Sequence, residues 1–100
     1  MKLEITSSQN TIRFAGDLDI YGAGTALHAL CEHLAARPAL ELDLGAVTAC
    51  DAAGLQLLLA AWRSAYATGK PFAVAVTAPV VEQCAQKLGL GPNLWPPKAA

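Results

Sequence analysis

Apolar and polar positions alternate along this chain with two periods, near two residues and near three and a half, and each change of period marks a new element. Leu3 and Ile5 alternate with Lys2, Glu4 and Thr6, and Ile12 and Phe14 flank Arg13. Two strands are therefore predicted on either side of the polar turn Ser7-Ser8-Gln9-Asn10. So short a loop makes them an antiparallel hairpin. From about Ala23 to Ala36 the set Ala23, Leu27, Leu30, Cys31 and Leu34 follows helical spacing, and Pro38 stops it. Leu40, Leu42 and Leu44 then alternate with Glu41 and Asp43, which predicts a third strand followed by a short turn. Asp51 stands where an N-cap belongs, and a leucine-rich helix runs from it to about Thr68, with Gly69 as the stop signal. Phe72, Val74 and Val76 against Ala73 and Ala75 give a fourth strand. Pro79 suits the first turn of a third helix that ends near Leu88-Gly89.

The order is β-β-α-β-α-β-α. Its last three strands are each linked through a helix, so they run parallel as neighbours or near-neighbours, with right-handed crossovers. The charged positions of the strands leave one sheet face to solvent. The fold class is α/β: a four-stranded mixed sheet with three helices packed mainly on one face. Residues 1–90 form a single domain, and Gly91 to Ala100, with Pro92, Pro96 and Pro97, reads as an irregular tail.

One hundred residues hold one core but not a deep catalytic cleft with a lid. Hydrophobic residues at 54% against 15% charged place the chain among globular proteins. A net charge of −1 gives no electrostatic reason to expect nucleic acid or an anionic membrane as partner. No apolar run reaches the roughly 18 residues of a membrane span, and the start of the chain lacks a signal-peptide core, so neither membrane insertion nor export is expected. Cys31, Cys50 and Cys84 are odd in number, widely spaced and free of any C-x-x-C pair. They read as reduced structural thiols of a cytoplasmic protein, with Cys31 on the core stripe of the first helix; no metal or other cofactor is expected.

On a wheel of the second helix, Leu55, Leu58, Leu59, Trp62, Ala65 and Tyr66 share the core side. Ala53, Leu57, Ala60 and Ser64 fall opposite, a small flat apolar face that another protein could approach closely. Asp17, Asp19, Asp43 and Asp51 raise a different possibility, an acidic pocket for a metal or a phosphoacceptor. Turn and cap roles account for Asp17, Asp19 and Asp51 without it. His28 and Glu32 are one helical turn apart and pair on the surface, whereas His33 lies roughly 140° round the helix from His28. Both histidines read as solvated. Gly22-Ala23-Gly24 lacks the third glycine and preceding parallel strand of a dinucleotide fingerprint and reads as a loop leading into a helix. No Ser/His/Asp or Cys/His set has supporting context.

The hairpin ending Gly16-Asp17-Leu18-Asp19, the strand-turn-helix from Leu42 to Leu59 containing Asp51-Ala52-Ala53-Gly54-Leu55, and the closing segment from Pro79 to Leu90 together resemble a STAS domain, the domain of anti-sigma factor antagonists. The resemblance implies a STAS-like mixed sheet and a non-enzymatic, cytoplasmic, bacterial signalling module that regulates transcription by protein–protein interaction. In switching members of that family an anti-sigma kinase phosphorylates the serine after the aspartate. That position here is Ala52, which cannot accept phosphate.

Relatives with threonine-alanine after the aspartate look closer. They include STAS proteins encoded with chemotaxis systems and the small cytoplasmic subunit of a phospholipid-trafficking ABC transporter. The expected partner is accordingly a protein: anti-sigma factor or kinase-like, a chemotaxis component, or an ABC transporter component. The expected contact residues are Asp51, Ala53, Gly54, Leu57 and Ala60 within the loop and helix at residues 51–64, with Leu57 as apolar anchor. A phosphoacceptor or nucleotide-binding domain using the acidic loops is the alternative of a different class.

Overall fold

The computed structural model describes residues 2–89; the domain boundary at residue 90 and the proline-rich tail expected at residues 91–100 lie outside the described residues. The elements follow the expected order: β1 (Glu4–Ser8), β2 (Thr11–Leu18), α1 (Ile20–Ala36), β3 (Leu40–Cys50), α2 (Ala52–Ala67), β4 (Phe72–Val76) and α3 (Pro79–Lys87). The strands lie in the order β1-β2-β3-β4. β1 and β2 form the antiparallel hairpin, from Glu4↔Ala15 to Ser8↔Thr11. β2, β3 and β4 run parallel, as strands joined through helices must when they are neighbours.

Period-two patterning sorts the two sheet faces. Ile12, Phe14 and Leu18 of β2 and Leu40, Leu42, Leu44 and Val47 of β3 are buried. They pack with Ala26 and Leu30 of α1, Leu55, Leu58, Ala61 and Ala65 of α2, and Val81 and Ala85 of α3 in one core. On the opposite face Arg13 and Asp43 sit side by side in register with their charges 3.9 Å apart, a solvated pair that contributes little to stability. The helices thus cover one face and leave the other to water, as expected.

Three local expectations change. β3 does not end in a turn near Leu44 but continues to Cys50, because the second half of β2 remains beside it, pairing Ala15 with Ala46 and Leu18 with Cys50. Two register shifts absorb the loss of alternation, one next to Gly16 at φ 99°. α1 begins three residues earlier than Ala23, so Gly22-Ala23-Gly24 is helical rather than a loop. The Asp19 carboxylate starts it, accepting from the backbone N–H of Tyr21 and Gly22 at 3.0 and 3.1 Å. His33 is buried, not solvated. Its Nε2 is 2.9 Å from the carbonyl oxygen of Ala39, while Nδ1 has no hydrogen-bond partner.

Candidate functional site

The C-terminal ends of β2 and β3 deliver two helix starts to one edge of the sheet. β2 leads through Asp19 into α1, and β3 leads through Asp51 into α2. Asp51 caps its own helix, its Oδ1 accepting from the Gly54 N–H at 2.9 Å. Its Oδ2 accepts from the Ile20 N–H at 3.2 Å, so one carboxylate holds both helix starts together. Asp17 belongs to the same edge, where Thr48 Oγ1 donates to its Oδ1 at 3.0 Å. The acidic residues therefore do converge, as structural caps and loop ties. Among the described residues, no three or more His, Cys, Asp or Glu side chains are grouped to hold a metal ion.

Expected contact residues fare differently. Ala52, the first residue of α2, is exposed, and Asp51, Ala53 and Ala60 are half-buried. Leu57 corrects the wheel: it is 7% exposed and belongs to the core, so it is not an outward-facing anchor. Gly54 is corrected too. A Cβ there would lie 2.1 Å from the Leu18 carbonyl oxygen, so the close approach this glycine permits is that of α2 to β2, not that of a partner. The core stripe of α2 is rotated toward Gly54, Leu57, Ala61 and Ala65, and Tyr66, expected inside, is 82% exposed. The face of α2 turned to solvent carries Ala52, Gln56 and Arg63.

Two residues missed in the sequence complete this edge. Ile20 and Tyr21, 64% and 93% exposed, open α1 beside Asp51. Their signal was present: an aspartate cap followed by two large apolar residues that the helical core stripe does not use. Tyr21 also lines a 360 Å³ groove with Leu3, Asp17, Asp19, Gly22 and Thr25. A second groove, of 460 Å³, runs from Thr48 past Asp51 and Ala52 to Gln83, Cys84 and Lys87 of α3. Cys31 is exposed, contrary to its expected core position. The pairing of His28 with Glu32 holds, at 2.6 Å on the surface of α1.

A mixed four-stranded sheet with its helices on one face, and a capped helix start at the end of the third strand, defines a STAS-type domain. The chain belongs to the Mlab, STAS domain family, whose profile matches residues 1–95. Solved structures agree on the fold. An anti-sigma factor antagonist from Mycobacterium paratuberculosis superposes with a TM-score of 0.71 at 22% identity, covering 93% of this chain and 86% of its own. The anti-sigma factor antagonist SpoIIAA in its unphosphorylated form gives 0.69 at 19% identity, with 99% and 89% covered. No curated protein matches the chain. None of the described helices is long and apolar enough to cross a membrane.

Proposed function

We propose that this chain is a non-enzymatic, cytoplasmic regulator of the anti-sigma-factor-antagonist type, which docks an anti-sigma-factor-like protein and lacks the phosphoserine switch. The observation that carries this reading is Ala52. It stands exposed at the first position of α2, directly after the aspartate that fixes both helix starts, and it has no hydroxyl. The docking surface consists of Asp51, Ala52 and Ala53, the outer residues Gln56, Ala60 and Arg63 of α2, and the neighbouring apolar pair Ile20 and Tyr21. Leu57 and Gly54 support that surface from beneath.

A second reading rests on the same alanine. A docking surface that phosphorylation cannot release suits permanent assembly, as in a transporter subunit or a chemotaxis-associated STAS protein. Titration with purified products of neighbouring genes separates the readings: an anti-sigma-type kinase, a chemotaxis component or a transporter component. Tyr21→Ala and Ala52→Arg are each expected to weaken binding at least tenfold, about 1.4 kcal/mol, while melting like the parent protein. Unchanged affinity in both variants places the docking surface elsewhere. Intact mass after incubation with a kinase-type partner and ATP is expected to show no phosphate on residues 48–56.

A further inference from the structure

Two thiols far apart in sequence face one groove where β3 ends. Cys50 is the last residue of β3 and Cys84 lies in α3; both are half-buried and packed against the core. Both line the groove that passes Asp51 and Ala52. Cys50 Sγ donates to the carbonyl oxygen of Asp51 at 3.6 Å. Cys84 faces the same groove from α3, near enough for its charge to bear on the Cys50 thiol.

We propose that Cys50 and Cys84 form a redox pair, which closes a disulfide between β3 and α3 by exchange with a small-molecule disulfide. Cys84 reacts first. Its thiolate attacks one sulfur of the small disulfide, forming a mixed disulfide and expelling one small thiolate. Cys50 Sγ then attacks the Cys84 sulfur. The Cys50–Cys84 bond forms, the mixed bond breaks, and the Cys50 proton leaves with the second small thiol. Two protein thiols are oxidised and one small disulfide is reduced to two small thiols.

The order of the steps follows from the surroundings of Cys50. Burial, with a lesser contribution from Cys84, pushes its thiol up to about 12, so it is a poor nucleophile toward solutes. Against a mixed disulfide on the adjacent sulfur it acts intramolecularly, where proximity compensates for low thiolate content. A disulfide brings its two sulfurs to about 2.05 Å, so β3 and α3 have to draw together across the groove as the bond closes. α3 is the element suited to move, being nine residues long with no side-chain hydrogen bond at its N-cap.

Glutathione disulfide is the probe, applied to the full chain carrying Cys31→Ser, so that the exposed third thiol cannot react. After alkylation of the remaining thiols, intact mass is expected to show loss of two hydrogens and no alkylation, with a Cys50–Cys84 cross-linked peptide that dithiothreitol reverses. Adding Cys50→Ser is expected to arrest the reaction as a glutathione adduct on Cys84. A persistent adduct on Cys84 in the Cys31→Ser protein, or two thiols that remain alkylatable, overturns the proposal. If the double variant fails to fold, the cross-linked peptide of the Cys31→Ser protein decides alone. Because the readout is covalent, the result does not depend on what the chain docks.

Discussion

Leu57 shows most directly what a single residue does here and what its sequence context conceals. Leu57→Arg removes the burial of a leucine, about 1.5–3 kcal/mol, and sets a charge against the core. For a domain whose whole stability is of order 5–15 kcal/mol, a sharply lowered thermal melt is expected. A parent-like melt would instead put Leu57 in solvent. The wheel misplaced it because Trp62 and Tyr66 drew the apparent core stripe toward themselves. Nothing local to α2 announces that the Leu18 backbone presses on Gly54 and turns the helix the other way. Asp19 and Asp51, by contrast, were legible, because capping needs only a short acceptor side chain ahead of a helical period. The thiols divide in the same way. Cys31 is exposed, whereas the Cys50 thiol is held protonated up to about pH 12 against a usual value of 9.0. Iodoacetamide at pH 8 is therefore expected to label the exposed Cys31 before Cys50. Cys50 labelling should accelerate as pH rises toward 12. A folded-state value raised in this way favours the fold fully below about pH 9, and that contribution fades as pH climbs from 9 to 12. Preferential early labelling of Cys50 would contradict the burial.

Elements were legible wherever a period ran unbroken. β4, the helical stretch of α2 and the proline-led α3 stand where patterning put them, and the stops at Gly69 and Gly89 have φ 71° and 78°. β3 was only half legible. Gly45 and Ala46 break its alternation, yet the strand runs on to Cys50 because β2 continues beside it, a tertiary effect no window on β3 contains. The junction of α2 with β2 is the clearest case of an element placed by contact. Gly54 lets the first turn of α2 rest on the Leu18 backbone, and Asp51 hydrogen-bonds across to Ile20 from the same turn. In an isolated helix Gly54→Ala would stabilise by up to about 1 kcal/mol. Here the added methyl would overlap the Leu18 carbonyl, and backbone cannot swing aside as a side chain can. Overpacking of this kind costs about 1–3 kcal/mol or more, so the contact outweighs the propensity. The expected outcome is a lower melting temperature together with faster amide exchange at Gly54 and Ile20. A stabilised variant would show that α2 stands off from β2.

At the scale of the whole molecule, the fold brings Asp17, Asp19, Asp51 and two helix starts to one edge of the sheet. Sequential parallel strands joined through helices place α1 and α2 over one shared core and start both at the same end of the sheet. That topology was legible, and with it the expectation that Asp17, Asp19 and Asp51 could converge; how they converge, with one carboxylate bridging two helix starts, was not, since Ile20 and Asp51 are remote in sequence. Ala52→Asp tests whether this edge can carry charge without loss of the fold. A carboxylate at the exposed first position of α2 gains about 0.3–1 kcal/mol from the unpaired N–H groups of the helix start. The carboxylates of Asp51, Asp19 and Asp17 at the same edge oppose it through solvent. The two effects are of similar size, so the melt should move by no more than about 1 kcal/mol in either direction. A partner docked over Ala52 meets the new charge without water to screen it, and its affinity is expected to fall at least tenfold. A variant that binds normally would clear Ala52 of the interface, and one that melts far below the parent would show that residue 52 belongs to the fold rather than to recognition.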